Sequence, residues 1–388
     1  MDVIEIRKQN LLNIIRLLRF EDNLTKRNIA NKTGLSFATV SNLCNDLIDQ
    51  GILIRGENTT LTVGRTPLYL SFNVDLFVTI CVNLQMRDVI VISLLNFRNQ
   101  EIIKRAYNPP KTYGAENVVA FIKNKFDTEI RPLCNEQLII IGIGVAVSSI
   151  FDTDSGQLIN SRVDIYDNIN LKFLFEESFD IPTYVDNESN LCAYSIKSIS
   201  HDLSDIVYLH ISEGVGVGMI VNGKLLSGER GYAGELAHMP IGTMDIKCPY
   251  CGNMGCVEND LAVESILIKY YGFCDDKIAQ WNCLLSKMEE GEEAALTLAE
   301  SCCSLLGKLS SILINLMNPN TMYIGGDIAK LLSFGESAFW AEINKRCLLL
   351  KYGPMDIKFD LHSDETINIG INERICSSWI PGKTELEF

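Results

Sequence analysis

Long hydrophobic runs are missing from the 388-residue sequence. Its longest apolar stretch, residues 138–147, falls well short of the roughly 20 residues that a membrane span requires. The N-terminus also lacks a basic segment followed by an apolar one, so no secretory signal is predicted and we expect a cytoplasmic protein. Basic residues are few, since 34 Lys and Arg oppose 49 Asp and Glu for a net charge of −15. Over the whole chain, this balance argues against nucleic-acid binding, which derives its affinity from Lys and Arg.

A disulfide framework is not expected either. The 13 cysteines are odd in number and mostly scattered, and a long chain without an export signal is expected to keep them reduced. Three of them, Cys248, Cys251 and Cys256, form a cluster that needs a separate explanation. The composition, 47% apolar and 21% charged, excludes collagen-like and disordered chains. The length predicts two or three domains.

The acidic charge is unevenly distributed along the chain. Residues 1–70 contain nine basic and seven acidic residues, so this segment carries +2 and the remaining 318 residues carry −17. Near residue 75 the pattern also changes, because helices and a short hairpin give way to apolar strands that alternate with helices. We therefore predict a separate domain over 1–72, for which the charge argument against nucleic acid does not hold.

The N-terminal segment is typical of a winged helix-turn-helix. An apolar stripe over 11–18 predicts a first helix, Thr25 is a suitable cap for a second, and Gly34 supplies the tight turn before a third. The residues that the third helix should bury are Val40, Leu43, Leu47 and Ile48. Its other face is small or amide-bearing, as a helix in the major groove requires. The alternative is a plain three-helix bundle used for packing or dimerisation.

The segment after the third helix predicts a wing. Residues 52–54 and 61–63 bracket a turn over 56–60. Arg65 follows on an extended backbone before Pro67, where it can enter a narrow minor groove; the alternative is a solvent-exposed turn. The candidate DNA-contacting residues are Thr25, Ser36, Phe37, Ala38, Thr39, Ser41, Asn42, Asn45 and Arg65.

The most specific pattern lies in the second half of the chain. His238, Cys248, Cys251 and Cys256 fall within 19 residues, in a chain that has only four histidines. Tetrahedral zinc takes four nitrogen or sulfur ligands, and a Cys-x-x-Cys pair can reach one ion from a tight loop. Four protein ligands leave no open position, so we predict a structural zinc and not a Lewis acid. The alternative is chance clustering in a cysteine-rich chain.

Together these motifs resemble the ROK family (repressors, open reading frames and kinases), and within it the winged-helix transcriptional regulators of the NagC/XylR type. The motifs that carry the resemblance are the helix-turn-helix with Gly64–Pro67, Asp186–Asn190, Gly231–His238, the cysteine loop, and Asn318-Pro319 with Gly325-Gly326. The resemblance implies an α/β actin/hexokinase-like body with a sugar cleft between two lobes. The lobes would comprise 73–190 with 372–388, and 191–371 with the zinc loop at 238–258.

The resemblance also implies which residues bind the sugar. Asn187 and Glu188 stand where family members hold a sugar hydroxyl and place the catalytic Asp. Glu235 and His238 match a Glu-x-x-His pair that binds sugar hydroxyls, and Glu258 matches the acidic residue after the last cysteine. The alternative for Glu235 and Glu258 is that they are solvated loop carboxylates.

The sequence departs from the family pattern where a kinase would bind ATP. Residues 81–88 lack the Gly and Thr of the first phosphate loop, and Glu213 stands in the second loop, where its carboxylate would repel phosphate. Glu188 replaces the catalytic Asp and is one methylene longer. Phosphoryl transfer depends on positioning and electrostatics, so we predict a protein that is not an enzyme.

Two further departures concern the cleft. The cysteine loop has Cys-x-x-Cys where the family usually has Cys-x-Cys, and Ser148-Ser149 replaces a Pro-Gly. The favoured function is a transcriptional repressor, a homodimer or homotetramer without membrane contact, that binds a palindromic double-stranded DNA operator and responds to a sugar. One alternative is an active ROK sugar kinase with an attached DNA-binding domain, and another is a regulator controlled by a protein partner.

Overall fold

The structure is a computed structural model that describes residues 3–56, 68–86, 88–110, 114–200 and 202–381. Its N-terminal part contains helices α1 (Val3–Phe20), α2 (Lys26–Thr33) and α3 (Phe37–Asp49) and strands β1 (Leu24–Thr25), β2 (Leu53–Arg55) and β3 (Tyr69–Phe72). The three strands form one antiparallel sheet in the order β1-β3-β2. The three helices are those expected from the sequence.

The expected second strand of the hairpin, at 61–63, lies outside the described residues. Among the described residues β2 pairs with β3, which begins eight residues after the expected strand at 61–63. The physical reason is burial, because Leu70 and Phe72 of β3 are 0% and 2% exposed in the core under the helices. Residues 57–67, and with them Arg65, lie outside the described residues.

The first α/β lobe is built on a five-stranded sheet in the order β10-β7-β4-β5-β6. Its elements are β4 (Phe77–Asn83), β5 (Ile90–Asn96), β6 (Glu101–Tyr107), α4 (Ala115–Lys125), β7 (Ile139–Val147), β8 (Ile150–Phe151), β9 (Leu158–Ile159), α5 (Leu171–Phe179), β10 (Thr183–Asn187) and α6 (Glu188–Ile199). Strands β4, β7 and β10 run parallel, so their carboxyl ends meet at one edge. Every residue of β4 is buried, as expected of a central strand covered on both faces.

The second lobe has a five-stranded sheet in the order β13-β12-β11-β14-β15. Its elements are β11 (Ile206–Ile211), β12 (Val215–Val221), β13 (Lys224–Leu225), α7 (Glu258–Leu261), α8 (Val263–Tyr271), α9 (Lys277–Glu289), α10 (Glu293–Met317), β14 (Thr321–Gly325), α11 (Leu332–Arg346) and β15 (Asp356–Asp360), after which the chain continues into α12 (Ser363–Ser378). Within the described residues α10 alone is long and apolar enough to cross a membrane, and 56% of its apolar window is buried. It packs along α11 in the lobe core, which explains its apolar face.

Two long helices join the lobes to each other. Helix α6 packs on α12 and also on β11 and β12, and the approach is close because Gly370 has no side chain: a Cβ there would lie 2.0 Å from the carbonyl oxygen of Leu191. The expected lobe limit at residue 372 falls inside α12. The first turns of this helix already contact the first lobe, where the Asn368 amide donates to Ser93 Oγ at 3.3 Å, so the structure favours a limit before residue 363.

The N-terminal helices are attached to the first lobe through a buried arginine. Arg19, at the end of α1, is 4% exposed. Its guanidinium donates to Glu373 Oε2 of α12 at 2.8 Å, to Asn99 Oδ1 at 3.2 Å and to the carbonyl oxygen of Phe97. Phe97 also stacks on Phe72 of β3, with ring centroids 4.5 Å apart. The N-terminal part is thus fixed to the β5–β6 turn and to α12.

Candidate functional site

A cleft of about 270 Å³ opens at the carboxyl edge of the first sheet, facing the second lobe. Three of the five expected sugar-binding residues, Asn187, Glu188 and Glu235, line it. The other two, His238 and Glu258, are not among the lining residues, and their part in sugar binding stays a prediction. Glu258 is 1% exposed and contacts the lining residue Val215, whose N–H donates to Glu258 Oε2 at 3.4 Å.

Strand β10 and helix α6 position the first two residues. Asn187 ends β10 and caps α6, because its side-chain oxygen accepts the N–H of Ser189 at 2.9 Å. Its amide nitrogen donates to the carbonyl oxygen of Ser149 at 3.2 Å. Glu188 is the first residue of α6, where the helix dipole favours a carboxylate. This junction holds both side chains at the cleft wall.

Glu188 is paired with one of the serines that replace the family's Pro-Gly. Ser148 Oγ donates to Glu188 Oε1 at 2.8 Å, while Glu188 Oε2 is buried and has no hydrogen-bond partner among the described residues. Burial raises the pKa of Glu188 to about 7, and the Ser148 hydrogen bond opposes the shift. Ser148 and Glu188, which both depart from the family pattern, therefore contact each other. Glu188 Oε2 stays available to a ligand hydroxyl.

The pH dependence of stability should reveal this carboxyl group. The folded protein holds its proton up to about pH 7, whereas the unfolded chain releases it near 4.5, so unfolding releases a proton between these values and stability falls as pH rises. Glu188→Gln removes this contribution. Relative to wild type, the variant should gain up to about 3 kcal/mol between about pH 4.5 and 8, measured by urea denaturation. A difference that does not change with pH would contradict the assignment.

The cleft also contains an arginine that the sequence analysis missed. Arg162 lies between β9 and α5 and lines the cleft. Its Nη2 lies 3.0 Å from Glu258 Oε1, and its Cζ lies 3.6 Å from the centroid of the Tyr250 ring. Burial raises the pKa of Glu258 to about 7, and Arg162 opposes the shift. No motif surrounds Arg162, so only the fold reveals its place.

Glu235 is the most accessible carboxylate of the cleft. Its surface is exposed to the solvent that fills the cleft, yet the surrounding protein partly desolvates it and raises its pKa, while Arg162 opposes the shift. Glu235 lies just before the short helical turn that carries His238, so the cleft and the cysteine cluster share one segment of chain.

The four expected metal ligands come together. The ligand atoms of His238, Cys248, Cys251 and Cys256 all lie within 4.8 Å of one another. His238 Nδ1 is 3.7 Å from Cys248 Sγ, and the sulfurs of Cys251 and Cys256 are 3.4 Å apart. Two sulfurs bound tetrahedrally to one zinc lie about 3.8 Å apart, since each Zn–S bond is about 2.3 Å. The donor set and its spacing therefore fit a four-coordinate zinc.

The loop geometry follows from local turns. The N–H of Gly252 bonds to the carbonyl oxygen of Cys248 at 3.0 Å, which curls the Cys-x-x-Cys segment around the cluster. His238 directs Nδ1 to the cysteines, and its Nε2 is buried without a partner among the residues described. A metal held here would fix Tyr250, which lies between two of its ligands, and Glu258, two residues after Cys256.

Comparison with known proteins decides the family. A sequence profile of the ROK family matches residues 87–349, more than half of the chain. The chain belongs to the ROK family. The xylose repressor of Caldicellulosiruptor bescii is 26% identical over 392 residues, covering 97% of each chain. The transcriptional dual regulator NagC of Escherichia coli is 24% identical over 342 residues, 84% of this chain and 82% of NagC.

Solved structures share the ROK fold. A ROK family transcriptional regulator, a homologue of the E. coli MLC protein, superposes with a TM-score of 0.78 at 19% identity, covering 96% of this chain and 97% of that one. A ROK family glucokinase from Streptomyces griseus, in complex with glucose and AMPPNP, has a TM-score of 0.62 at 16% identity and covers 76% of this chain and 98% of its own. At these identities the likeness establishes the fold alone.

A second cavity, of about 420 Å³, contains both segments that correspond to the phosphate loops of ROK kinases. Gln85 and Met86 of the first segment face Ser212 and Glu213 of the second across it. The Glu213 carboxylate accepts a hydrogen bond from Lys277, and their side chains are 13% and 22% exposed. This mostly buried ion pair places a carboxylate beside the cavity and neutralises a lysine that could otherwise meet phosphate.

The candidate DNA-contacting residues of this ROK protein lie around α3. Five of them are exposed on or directly before that helix: Ser36, Phe37, Ala38, Asn42 and Asn45. Ser36 and Thr25 cap α3 and α2, because each side-chain oxygen accepts a backbone N–H at 3.1 Å, from Thr39 and from Asn28. Lys26, which the sequence analysis did not select, donates from Nζ to Asn45 Oδ1 at 2.6 Å and to Ser41 Oγ at 3.3 Å.

Proposed function

We propose that this protein is a cytoplasmic transcriptional repressor that binds a palindromic operator through its N-terminal domain and responds to a sugar in the cleft, without phosphoryl transfer. The observation that carries the proposal is the contrast between two cavities. One is lined by carboxylates and an amide suited to sugar hydroxyls, and the other places the Lys277-paired carboxylate of Glu213 beside the segments where a kinase would bind phosphate. The names of the curated repressors support the same function.

Three helices and a three-stranded antiparallel sheet in the N-terminal part support a winged helix-turn-helix. Helices α2 and α3 meet at Gly34, whose φ of 71° is the left-handed conformation that a tight turn uses. The exposed face of α3 would enter the major groove, and the capped N-termini of α2 and α3 would face phosphates. Two such domains in a homodimer, or in a homotetramer of dimers, would match half-sites about one or two helical turns apart.

The metal of the cysteine cluster would be a structural zinc. Four protein ligands leave no position for substrate, so its part is to hold the loop that carries Tyr250 and leads to Glu258. Sugar bound between the lobes would change their relative placement, and the attachment of α1 to α12 through Arg19 and Glu373 would transmit that change to the winged helices.

Effector titrations on operator DNA test the proposed function. A duplex selected from a random library by the wild-type protein serves as the operator, and fluorescence anisotropy follows its release by sugars. Glu235→Ala removes a hydroxyl acceptor and should weaken the effector response about 10-fold to 100-fold, because a hydrogen bond to a charged group contributes about 1.5–3 kcal/mol. Glu229→Ala, an exposed glutamate in the same loop, is the matched control. The effector dependence of Glu229→Ala should equal that of wild type.

Two results would contradict the proposal. One is a Glu235→Ala protein that releases DNA with the wild-type sugar dependence. The other is turnover of ATP with any hexose or amino sugar at the roughly 1–100 per second of ordinary kinases, which would instead support the sugar kinase with an attached DNA-binding domain.

A further inference from the structure

Arg162 bridges the cleft between a loop of the first lobe and the cysteine loop of the second. Its guanidinium lies flat on Tyr250 and reaches Glu258 with Nη2, and its side chain is 10% exposed. Tyr250 stands inside the Cys248–Cys251 pair, which is one residue longer than the family pattern. The unusual loop and Arg162 are thus in direct contact. Stacking on an aromatic ring and pairing with a carboxylate fix the orientation of the guanidinium fork.

One edge of this fork has no protein partner. Arg162 Nη1 is buried and donates to no acceptor in the described part of the chain. A buried charged donor without an acceptor is unfavourable, so a ligand that supplies an acceptor there gains more than it would from a solvated arginine. The strongest acceptor for a guanidinium is a carboxylate, because its hydrogen bonds are charge-assisted and planar.

Two further cations line the same cleft. Lys172 and Arg374 are both in its wall, and the Arg374 guanidinium lies 4.8 Å from the centroid of the Tyr184 ring. Asp186, in the same wall, acts electrostatically on Arg374, and Lys172 Nζ lies 4.0 Å from Glu176 Oε1. A neutral pentose or hexose requires no cation. Asp186, Glu188 and Glu235 line the same cleft, so the lining charges balance, and the observation that points to a negatively charged ligand is the unpartnered Nη1 of Arg162.

We propose that Arg162 determines the specificity of the cleft and that the effector is a sugar acid. The ligand carboxylate accepts from Arg162, while Glu188 and Glu235 accept from ring hydroxyls at the opposite side. This inference rests on the proposed function, since it names the class of sugar that the same cleft binds. It differs from the curated relatives, whose names refer to xylose and N-acetylglucosamine.

Sugars that differ only in the substituent at C5 measure what a carboxylate adds to the binding affinity. Xylose, glucose and glucuronate share one ring and differ only in the substituent at C5, which is hydrogen, hydroxymethyl or carboxylate; L-arabinose, galactose and galacturonate form a second series. Isothermal titration of the full-length protein with all six gives a selectivity ratio for each series. In at least one series, wild type should bind the uronate about 10-fold or more tighter than its neutral partners, as a charge-assisted pair predicts.

Variants at position 162 then distinguish an arginine that binds the ligand carboxylate from one that only stabilises the fold. Arg162→Gln should abolish the preference for the uronate and leave the weak binding of neutral sugars within about 2-fold, whereas Arg162→Lys, which keeps the charge and loses the fork, should retain part of it. Arg105→Gln, an exposed arginine on β6, is the control and should keep the wild-type ratio. A purely structural arginine would lower the affinity for all six sugars alike, which would overturn the inference.

The wild-type titrations alone are decisive if a variant fails to fold. Neutral sugars that bind as tightly as the uronates would overturn the sugar-acid inference and leave the proposed sugar response intact. No binding of any of the six at millimolar concentration would overturn both.

Discussion

Glu373→Ala is expected to destabilise the protein by about 3–5 kcal/mol, because it leaves the Arg19 guanidinium buried without its carboxylate. Arg19 is 4% exposed and Glu373 is 6% exposed, and Asn99 also donates to Glu373 Oε1 at 2.6 Å. Urea denaturation followed by circular dichroism measures the loss. Because the contact attaches α1 to the body, we also expect limited proteolysis to release the N-terminal part of the variant faster than that of wild type.

The neighbouring ion pair supplies a control. Arg98 pairs with both carboxylate oxygens of Asp22 at 2.7 Å, and it joins the same two parts of the molecule. Asp22 is 44% exposed in its side chain, so Asp22→Ala should cost less than about 1 kcal/mol. If Glu373→Ala and Asp22→Ala lowered the free energy of unfolding equally, the burial of the Arg19 contact would not make it more stabilising than the exposed ion pair.

Cys251→Ala is expected to lose the metal and to destabilise the second lobe. Wild-type protein should carry one zinc per chain by native mass spectrometry, and the three remaining ligands of the variant should not retain it through dialysis. Zinc at 100 times its Kd stabilises a folded protein by about 2.7 kcal/mol, so the variant should lose at least that amount. EDTA should have the same effect on wild type.

Cys283→Ala is the matched control, because Cys283 is an exposed thiol outside the cluster. Its zinc content and stability should equal those of wild type. An unchanged zinc content in Cys251→Ala would refute the proposed site. Loss of zinc should also free Tyr250 from Arg162, so the effector affinity of the variant should fall together with its metal content.

Local patterns made part of the molecule predictable. The buried face of α3 was correct for Val40, Leu43 and Leu47, since helical spacing alone determines that face, although Ile48 is only partly buried and Cys44 is buried in the same core. The cysteine cluster was predictable for a related reason, because all four ligands lie within 19 residues.

Contacts between distant residues were not predictable. Arg162 and Glu258 are 96 positions apart, and Arg19 and Glu373 are 354 apart. Glu258 belongs to a family motif, but no motif contains Arg162, Arg19 or Glu373, and no local pattern indicates either pairing before the fold brings the partners together. The pairing of β3 with β2 was not predicted, because the burial of Leu70 and Phe72 depends on packing against the helices.

Helix α12 has a consequence for synthesis of the protein. The N-terminal helices are synthesised before α12, yet the carboxylate that holds Arg19 lies 354 residues after it in the chain, and the next residue, Arg374, is part of the cleft wall. A nascent or prematurely terminated chain that stops before α12 therefore has neither a finished cleft nor an anchored N-terminal domain. Domains fold as they emerge, but here the N-terminal domain acquires its fixed position only after α12 has been synthesised.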